Sequence, residues 1–153
     1  MEKQKIDKQL KPKISNIAEE YGLILVILYG SYATGKAREE SDIDIAVLGK
    51  EPIKFDALVD LNNEFAEIFE TKNIDVKSLH FTDPLFRYEA ARKGILLYGE
   101  AGFYNRFKAY AFRDYNDSRD LFQLKDVIIK KRLENLTRRS LWLIKSFLKK
   151  KSI

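Results

Sequence analysis

The segment LYGSYATGKAREESDIDIAVLG, residues 28–49, constrains the fold more than any other part of the chain. It joins two apolar runs through a glycine and a serine. The first run, Leu23–Tyr29, is continuously apolar, which indicates a central strand buried on both faces. The second run alternates, as a strand with two different faces does. One face carries Ile43, Ile45 and Val47, and the other carries Asp42, Asp44 and Ala46. The segment therefore predicts a strand–turn–strand unit with two acids on one face.

Asp42 and Asp44 lie close enough to determine the chemistry of that face. Two ionised carboxylates a few ångströms apart repel each other, and one takes up a proton unless a cation lies between them. Hard oxygen ligands favour Mg²⁺ or Mn²⁺, and Mg²⁺ is usually shared with substrate phosphates. The pair therefore predicts phosphoryl or nucleotidyl transfer. Asp42 alone has an alternative interpretation as a turn cap, which does not fit Asp44 deep in an apolar run.

The dipeptide Gly30-Ser31 strengthens this prediction, because it follows the strand expected to lie beside the aspartate strand. Glycine lets a backbone approach a phosphate, and exposed N–H groups with the serine hydroxyl can bind its oxygens. The alternative is that Ser31 is an ordinary turn residue. Neither half of the pattern is specific alone, but Gly-Ser separated by ten residues from Asp-x-Asp predicts a site for a nucleotide.

A third carboxylate, Asp75, lies in NIDVKSL, residues 73–79, which is the third predicted strand. The register of this strand can place Asp75 beside Asp42 and Asp44. The alternative is that Asp75 only marks the start of the strand. A two-metal site, with ions about 3.5–4 Å apart, needs more than two carboxylates. One ion would act at the incoming oxygen and the other at the triphosphate. Asp42, Asp44 and Asp75 are therefore the predicted catalytic and metal-binding residues.

The rest of the chain reads mainly as helices. Apolar spacing and helix end signals predict three helices before a short strand and a helical tail. The helices are predicted over residues 6–21, 55–69 and 84–93, the strand over residues 95–99, and the tail beyond Gly102. The dipeptide Asp83-Pro84 opens the third helix, and Asn116-Asp117-Ser118 is a candidate break in the tail. This order predicts an α/β fold with a small mixed sheet and flanking helices.

We expect residues 1–100 to form the catalytic domain and residues 101–153 to form a helical extension, packed on that domain or continuing it.

The chain has 153 residues and no cysteine, its longest apolar run is far too short to cross a bilayer, and its first residues are charged without an apolar signal segment. We therefore expect a cytoplasmic protein.

The net charge of +5 is concentrated near the C-terminus. From Lys125 to Lys151 there are ten lysines and arginines but two acids. Such a segment attracts phosphates or an acidic partner, with a solvated helix face as the alternative. The apolar residues around Trp142 predict a packing face, either of a core or of a partner contact.

LYGS followed by SDIDIAV resembles the nucleotidyltransferase signature of the DNA polymerase β superfamily. The chain is similar to the minimal nucleotidyltransferases, in particular to MntA-type antitoxins that are paired with HEPN-domain toxins. The resemblance continues through IDVKSL and LFRYEAARKGILLYGE and covers most of residues 23–135. It implies the polymerase β-like fold, metal-binding and catalytic roles for Asp42, Asp44 and Asp75, and a triphosphate contact at Gly30 and Ser31.

The resemblance also implies an activity and a partner. The expected reaction is Mg²⁺-dependent transfer of AMP from ATP to a tyrosine of a HEPN toxin, which silences the toxin's ribonuclease activity within a hetero-oligomer. Relatives often carry a basic residue where this chain has Thr34, so Lys36 and Arg38 become the candidate nucleotide-binding cations. Solvated loop charges are the alternative interpretation of both.

Three rival functions remain open from the sequence. A nucleotidyltransferase acting on a small molecule would usually carry a larger second domain. An antitoxin that masks its partner would need no catalysis, although the three intact carboxylates argue against lost activity. An enzyme acting on RNA ends would suit the basic tail, but no stacking aromatics interleave its lysines, so a nucleic-acid partner is not expected.

Overall fold

The computed structural model describes residues 10–38 and 40–151, without the side chains of Phe122 and of residues 139–151. The start of the first predicted helix, residues 6–9, and the predicted packing face around Trp142 lie outside these descriptions. The chain divides into two compact units, one ending at Tyr115 and the other beginning at Asn116. Among the described residues, no helix has both the length and the apolar character that crossing a membrane would require.

The described elements follow the predicted order. They are α1 (Lys11–Glu20), β1 (Leu23–Tyr29), α2 (Gly30–Ala33), β2 (Ile43–Gly49), α3 (Phe55–Ile68), β3 (Ile74–Ser78), α4 (Pro84–Arg92), β4 (Ile95–Tyr98) and α5 (Ala101–Lys151). The four strands form one sheet in the order β3-β2-β1-β4. β1 is antiparallel to β2 and β4, whereas β2 and β3 are parallel. The parallel pair needs a long crossover, which α3 provides. The predicted α/β fold with a small mixed sheet and a helical tail is confirmed.

The two faces of the sheet have different compositions. The first, which we call the apolar face, packs against α1 and α3, and its buried cluster includes Val26, Leu28, Ile43, Ile45, Val47, Ile74, Val76, Ile14, Ile17, Leu61 and Phe65. The second, which we call the acidic face, packs at one end against α4 and the start of α5, through Leu25, Ile27, Ala46, Leu79, Ala90, Ala91, Tyr104, Phe107 and Ala111. β1 is buried on both faces, as its sequence predicts.

Helix ends occur where the sequence signals them. Pro12 lies in the first turn of α1, where its missing N–H has no partner to lose. Asp83 caps α4, because its side chain accepts a hydrogen bond from the Leu85 backbone N–H at 2.7 Å. The predicted break at residues 116–118 is wrong, since α5 continues through them. Helix propensity is a weak signal, and these short polar side chains do not end a helix by themselves.

Candidate active site

Strand register brings the predicted acids together on the acidic face. Asp44 on β2 is the partner of Asp75 on β3, and Tyr29 on β1 is the partner of Asp44. The three residues therefore form a row across neighbouring strands, which lie about 4.8 Å apart. Asp42 precedes Asp44 by two residues, immediately before β2, and is exposed. We call Asp42, Asp44 and Asp75 the carboxylate cluster.

The environment of Asp44 disfavours its charged form. Partial burial raises the pKa of its carboxyl, and the nearby Asp75 and, more weakly, Asp42 raise it further. The Lys77 ammonium acts in the opposite direction. The arrangement therefore suits a bound cation or the uptake of a proton at this position.

Lys77 supplies the one cation seen in contact with the cluster among the described residues. Its Nζ lies 2.7 Å from Oδ2 of Asp75, and both side chains are about half exposed. The same Nζ lies 6.0 Å from the ring centroid of Phe86 on α4. Hydrogen bonding to Asp75 raises the pKa of Lys77. The sequence analysis missed this residue, although a signal existed, because Lys77 follows Asp75 by two positions and so shares its face of β3.

Tyr29 is a second residue that the sequence analysis missed. Its hydroxyl oxygen is buried and forms no hydrogen bond with the described residues. Burial raises the pKa of Tyr29 to about 12, with Lys77 opposing the shift and Asp44 adding to it. The ring packs edge-on against Phe86, at 5.5 Å between centroids. Tyr29 is therefore a protonated phenol beside Asp44.

Gly30 places the turn after β1 directly against the carboxylate cluster. Its φ of +71° is in the left-handed region, and a Cβ added there would lie 2.9 Å from Cγ of Asp44. Glycine is therefore required both for conformation and for space. The next residue, Ser31, is partly exposed, and its carbonyl accepts from the Lys36 N–H at 2.9 Å. The Thr34 hydroxyl donates to the Gly30 carbonyl at 3.0 Å, which holds the turn together.

Lys36 and Arg38 lie on the exposed loop between α2 and β2. The Arg38 backbone N–H donates to Oγ of Ser41 at 2.8 Å, and the Ser41 N–H returns a bond to the Arg38 carbonyl at 3.0 Å. Within the described residues, no ion pair joins either side chain to the carboxylate cluster. The structure thus places both cations on the loop that connects Gly30 to Asp42, without bringing them into contact with the acids.

His80, the one histidine of the chain, lies away from the cluster. A ring nitrogen is 3.0 Å from the carbonyl oxygen of Gly49, at the opposite end of β2 from Asp44. This contact ties the end of β2 to the segment that follows β3. It supports a structural role for the histidine.

The chemistry of the carboxylate cluster fits Mg²⁺, because ionised oxygens from neighbouring strands are the ligands this ion prefers. As the side chains stand, no three histidine, cysteine, aspartate or glutamate groups converge as an ion site in the described part of the chain. One oxygen of Asp75 is held by Lys77. Mg²⁺ sites completed by substrate phosphates need only one or two carboxylates, so Asp42, Asp44 and Asp75 provide sufficient donors.

Comparisons with known proteins agree with this geometry. Residues 12–101 match the family model described as polymerase beta, nucleotidyltransferase. A protein of Methanocaldococcus jannaschii, inferred to be a protein adenylyltransferase, is 33% identical over 63 residues. That match spans 41% of this chain and 64% of the relative, which is less than two thirds of the relative's length.

Solved structures share the fold. A toxin–antitoxin structure with AMP-PNP has a TM-score of 0.67 at 23% identity, covering 78% of this chain and 98% of the other. A tri-AMPylated Shewanella oneidensis HEPN toxin in complex with MNT antitoxin gives a TM-score of 0.62 at 21% identity, covering 78% and 96%. At these identities the likeness establishes the common fold.

Proposed function

Since the chain belongs to the polymerase β nucleotidyltransferase family, we propose that it transfers AMP from ATP to a tyrosine of a HEPN-domain toxin, and so acts as the antitoxin of the pair. The observation that carries this proposal is the register that sets Asp44 beside Asp75, with the backbone of Gly30 against Asp44. That arrangement places metal-binding oxygens next to a turn that can approach a phosphate.

The relatives support the choice of group and acceptor. The Methanocaldococcus jannaschii protein is inferred to be a protein adenylyltransferase. One structural neighbour is a toxin–antitoxin complex with AMP-PNP, and another contains an AMPylated HEPN toxin. These descriptions favour AMP over other nucleotides and a protein over a small molecule as the acceptor.

In the proposed reaction, the acceptor's tyrosine oxygen attacks the α-phosphorus of ATP, and the bond to pyrophosphate breaks. Asp42 and Asp44 would hold Mg²⁺ together with the triphosphate, and Asp75 would complete the site on the acceptor side. When bound, Mg²⁺ neutralises phosphate charge and favours ionisation of the acceptor hydroxyl. Asp75 is the proposed acceptor of the tyrosine proton, because a phenol with an ordinary pKa near 10 needs a base at close range.

The loop after β1 has a binding role in this proposal. Gly30 lets the backbone approach the triphosphate, and the N–H and hydroxyl groups of Ser31 would bind its oxygens. Lys36 and Arg38, on the exposed loop that follows, would supply positive charge to the same phosphates. Asp42 and Asp44 at the start of β2 close the site on its other side.

A second candidate function is inhibition of the toxin by binding alone. The observation that favours it is a series of large apolar side chains on α5, beyond the end of the family match at residue 101. Each is between 46% and 73% exposed: Leu121, Leu124, Val127, Ile128, Ile129 and Leu133. Such a surface is typical of a helix that contacts another protein.

Label transfer distinguishes the two functions. The protein is mixed with α-phosphate-labelled ATP, Mg²⁺ and the HEPN toxin, beside an Asp42→Asn/Asp44→Asn variant. Asp60→Asn, an exposed aspartate on α3, is the matched control. We expect label on a toxin tyrosine with wild type and Asp60→Asn only. Inhibition of the toxin without label on it would favour binding alone and reject the transferase.

A further inference from the structure

The proposed reaction does not use Lys77, although this side chain makes the closest contact with the carboxylate cluster. Lys77 and Asp75 project from the same face of β3, and the register places Lys77 opposite Ala46, two residues beyond Asp44. Its ammonium contacts Asp75 and acts electrostatically on Asp44.

The ammonium of Lys77 occupies a cation site beside Asp75. Nζ lies 2.7 Å from Oδ2 of Asp75 and 6.0 Å from the ring centroid of Phe86. Its charge also acts on Asp44 and Tyr29, which lie on the two neighbouring strands. The flexible side chain of Lys77 thus acts on all three residues of the row that strand pairing forms, which are Tyr29, Asp44 and Asp75.

We propose that Lys77 is an internal counter-ion of the carboxylate cluster, which occupies the charge-compensating position until a divalent cation arrives and then releases Asp75 to it. The inference rests on the proposed function, because it takes the cluster to be the metal site. Lysine suits this role, since its ammonium is a compact charge on a flexible four-carbon stem. The ion pair is half exposed, so it is weak and its release is easy.

This role makes Lys77 a positioning residue that sets metal affinity. A bound cation and the ammonium repel each other and compete for Asp75. Replacing Lys77 by a neutral residue therefore strengthens metal binding, while it weakens the metal-free fold by leaving Asp75 and Asp44 without its compensating charge. A merely structural lysine would give the second effect without the first.

The test uses Mn²⁺ alone as the probe, with the full chain and no nucleotide, and the free ion is followed by electron paramagnetic resonance. Lys77→Met removes the charge, and Lys77→Arg keeps it. Lys93→Met, which removes an exposed lysine after α4, is the control for net charge. We expect Lys77→Met to bind Mn²⁺ on the order of 3- to 10-fold more tightly than wild type. The other two variants should stay within about twofold.

Thermal melting of the same proteins supplies the second readout. Without metal, Lys77→Met should melt below wild type, and Mn²⁺ should raise its melting temperature by more than it raises that of wild type. Equal or weaker Mn²⁺ binding by Lys77→Met overturns the inference and leaves the metal site standing. Wild-type binding no stronger than that of Asp44→Asn overturns both the inference and the proposed metal site. Tighter binding without any AMP transfer would support the inference and reject the transferase.

Discussion

The two faces of the sheet are made by the same strands, yet they do different work. On β2, Ile45 and Val47 are fully buried against the helices of the apolar face. One residue away along the same strand, Asp44 faces the other side with Asp75 beside it. Because strand side chains alternate, a single segment supplies both core and chemistry. Residues that stabilise the fold and residues of the candidate site therefore alternate along β2.

Apolar burial and the carboxylate cluster contribute to the stability of the fold with opposite signs. Apolar burial on the first face stabilises the fold in proportion to the area removed from water. On the second face, burial and neighbouring acids raise the pKa of Asp44, so the charged site weakens the fold at neutral pH.

Phe65→Ala tests the apolar face. Phe65 on α3 is fully buried, and truncation should lower the free energy of unfolding by about 3–5 kcal/mol. Phe55→Ala, at the start of the same helix and 77% exposed, should change it by less than about 0.5 kcal/mol. Urea unfolding of both variants measures the difference. Similar losses of unfolding free energy in the two variants would mean that Phe65 and Phe55 do not differ in burial as described.

Gly30→Ala and Gly35→Ala test the contact between the turn and the acids. Both glycines have φ of +71°, but an added Cβ meets Asp44 only at Gly30 and nothing within 4 Å at Gly35. Gly35→Ala should cost about 1–2 kcal/mol through backbone strain. Gly30→Ala should cost about 1–3 kcal/mol more and reduce AMP transfer. Chemical denaturation measures the unfolding free energy of both variants. Equal losses would contradict the close contact between Gly30 and Asp44.

Tyr104→Phe tests whether the helical end of the acidic face is purely structural. The buried Tyr104 hydroxyl lies 3.0 Å from the carbonyl oxygens of both Ala91 and Gly94. Its removal should cost about 1–2 kcal/mol by leaving these groups poorly paired. Tyr98→Phe, on the partly exposed side of β4, is the control. Thermal melting and label transfer are compared, and a transfer defect at full occupancy of the folded state would connect this end to the site.

The pH dependence of Asp44 is the smallest expected effect. Its pKa is raised in the folded state, so the fold binds this proton more tightly than the unfolded chain does. The penalty is full above the folded pKa and disappears below the unfolded value near 4. Any excess stability of metal-free Asp44→Asn over wild type should shrink as the pH falls from about 7.5 to about 4.5. Urea melts at several pH values measure it, and an excess that grows on acidification would contradict the sign.

Much of this architecture is readable from the sequence, because it depends on local patterns. The continuous apolar run of β1 predicts burial on both of its faces. The alternation of β2 predicts burial on one face. The dipeptide Asp83-Pro84 predicts the start of α4. By contrast, the continuity of α5 through residues 116–118 was missed, because short polar residues interrupt a helix only when other forces agree.

The candidate site was readable in part. The spacing of Asp42 and Asp44 places both on one face of a strand, but the row of Tyr29, Asp44 and Asp75 depends on the pairing of distant segments. Register of that kind is set by the packing of the whole sheet rather than by local sequence. The contact of Lys77 with Asp75 follows from the alternation of side chains along β3. It was not predicted, because only the acidic residues were considered as candidates.

The most direct test of the account is the unfolding free energy of metal-free Asp44→Asn at neutral pH, measured beside label transfer. If the carboxylate cluster serves chemistry rather than folding, the variant should be as stable as wild type or more stable, and transfer should be lost. An unfolding free energy more than about 1 kcal/mol below that of wild type would contradict the account, because Asp44 would then be a structural residue.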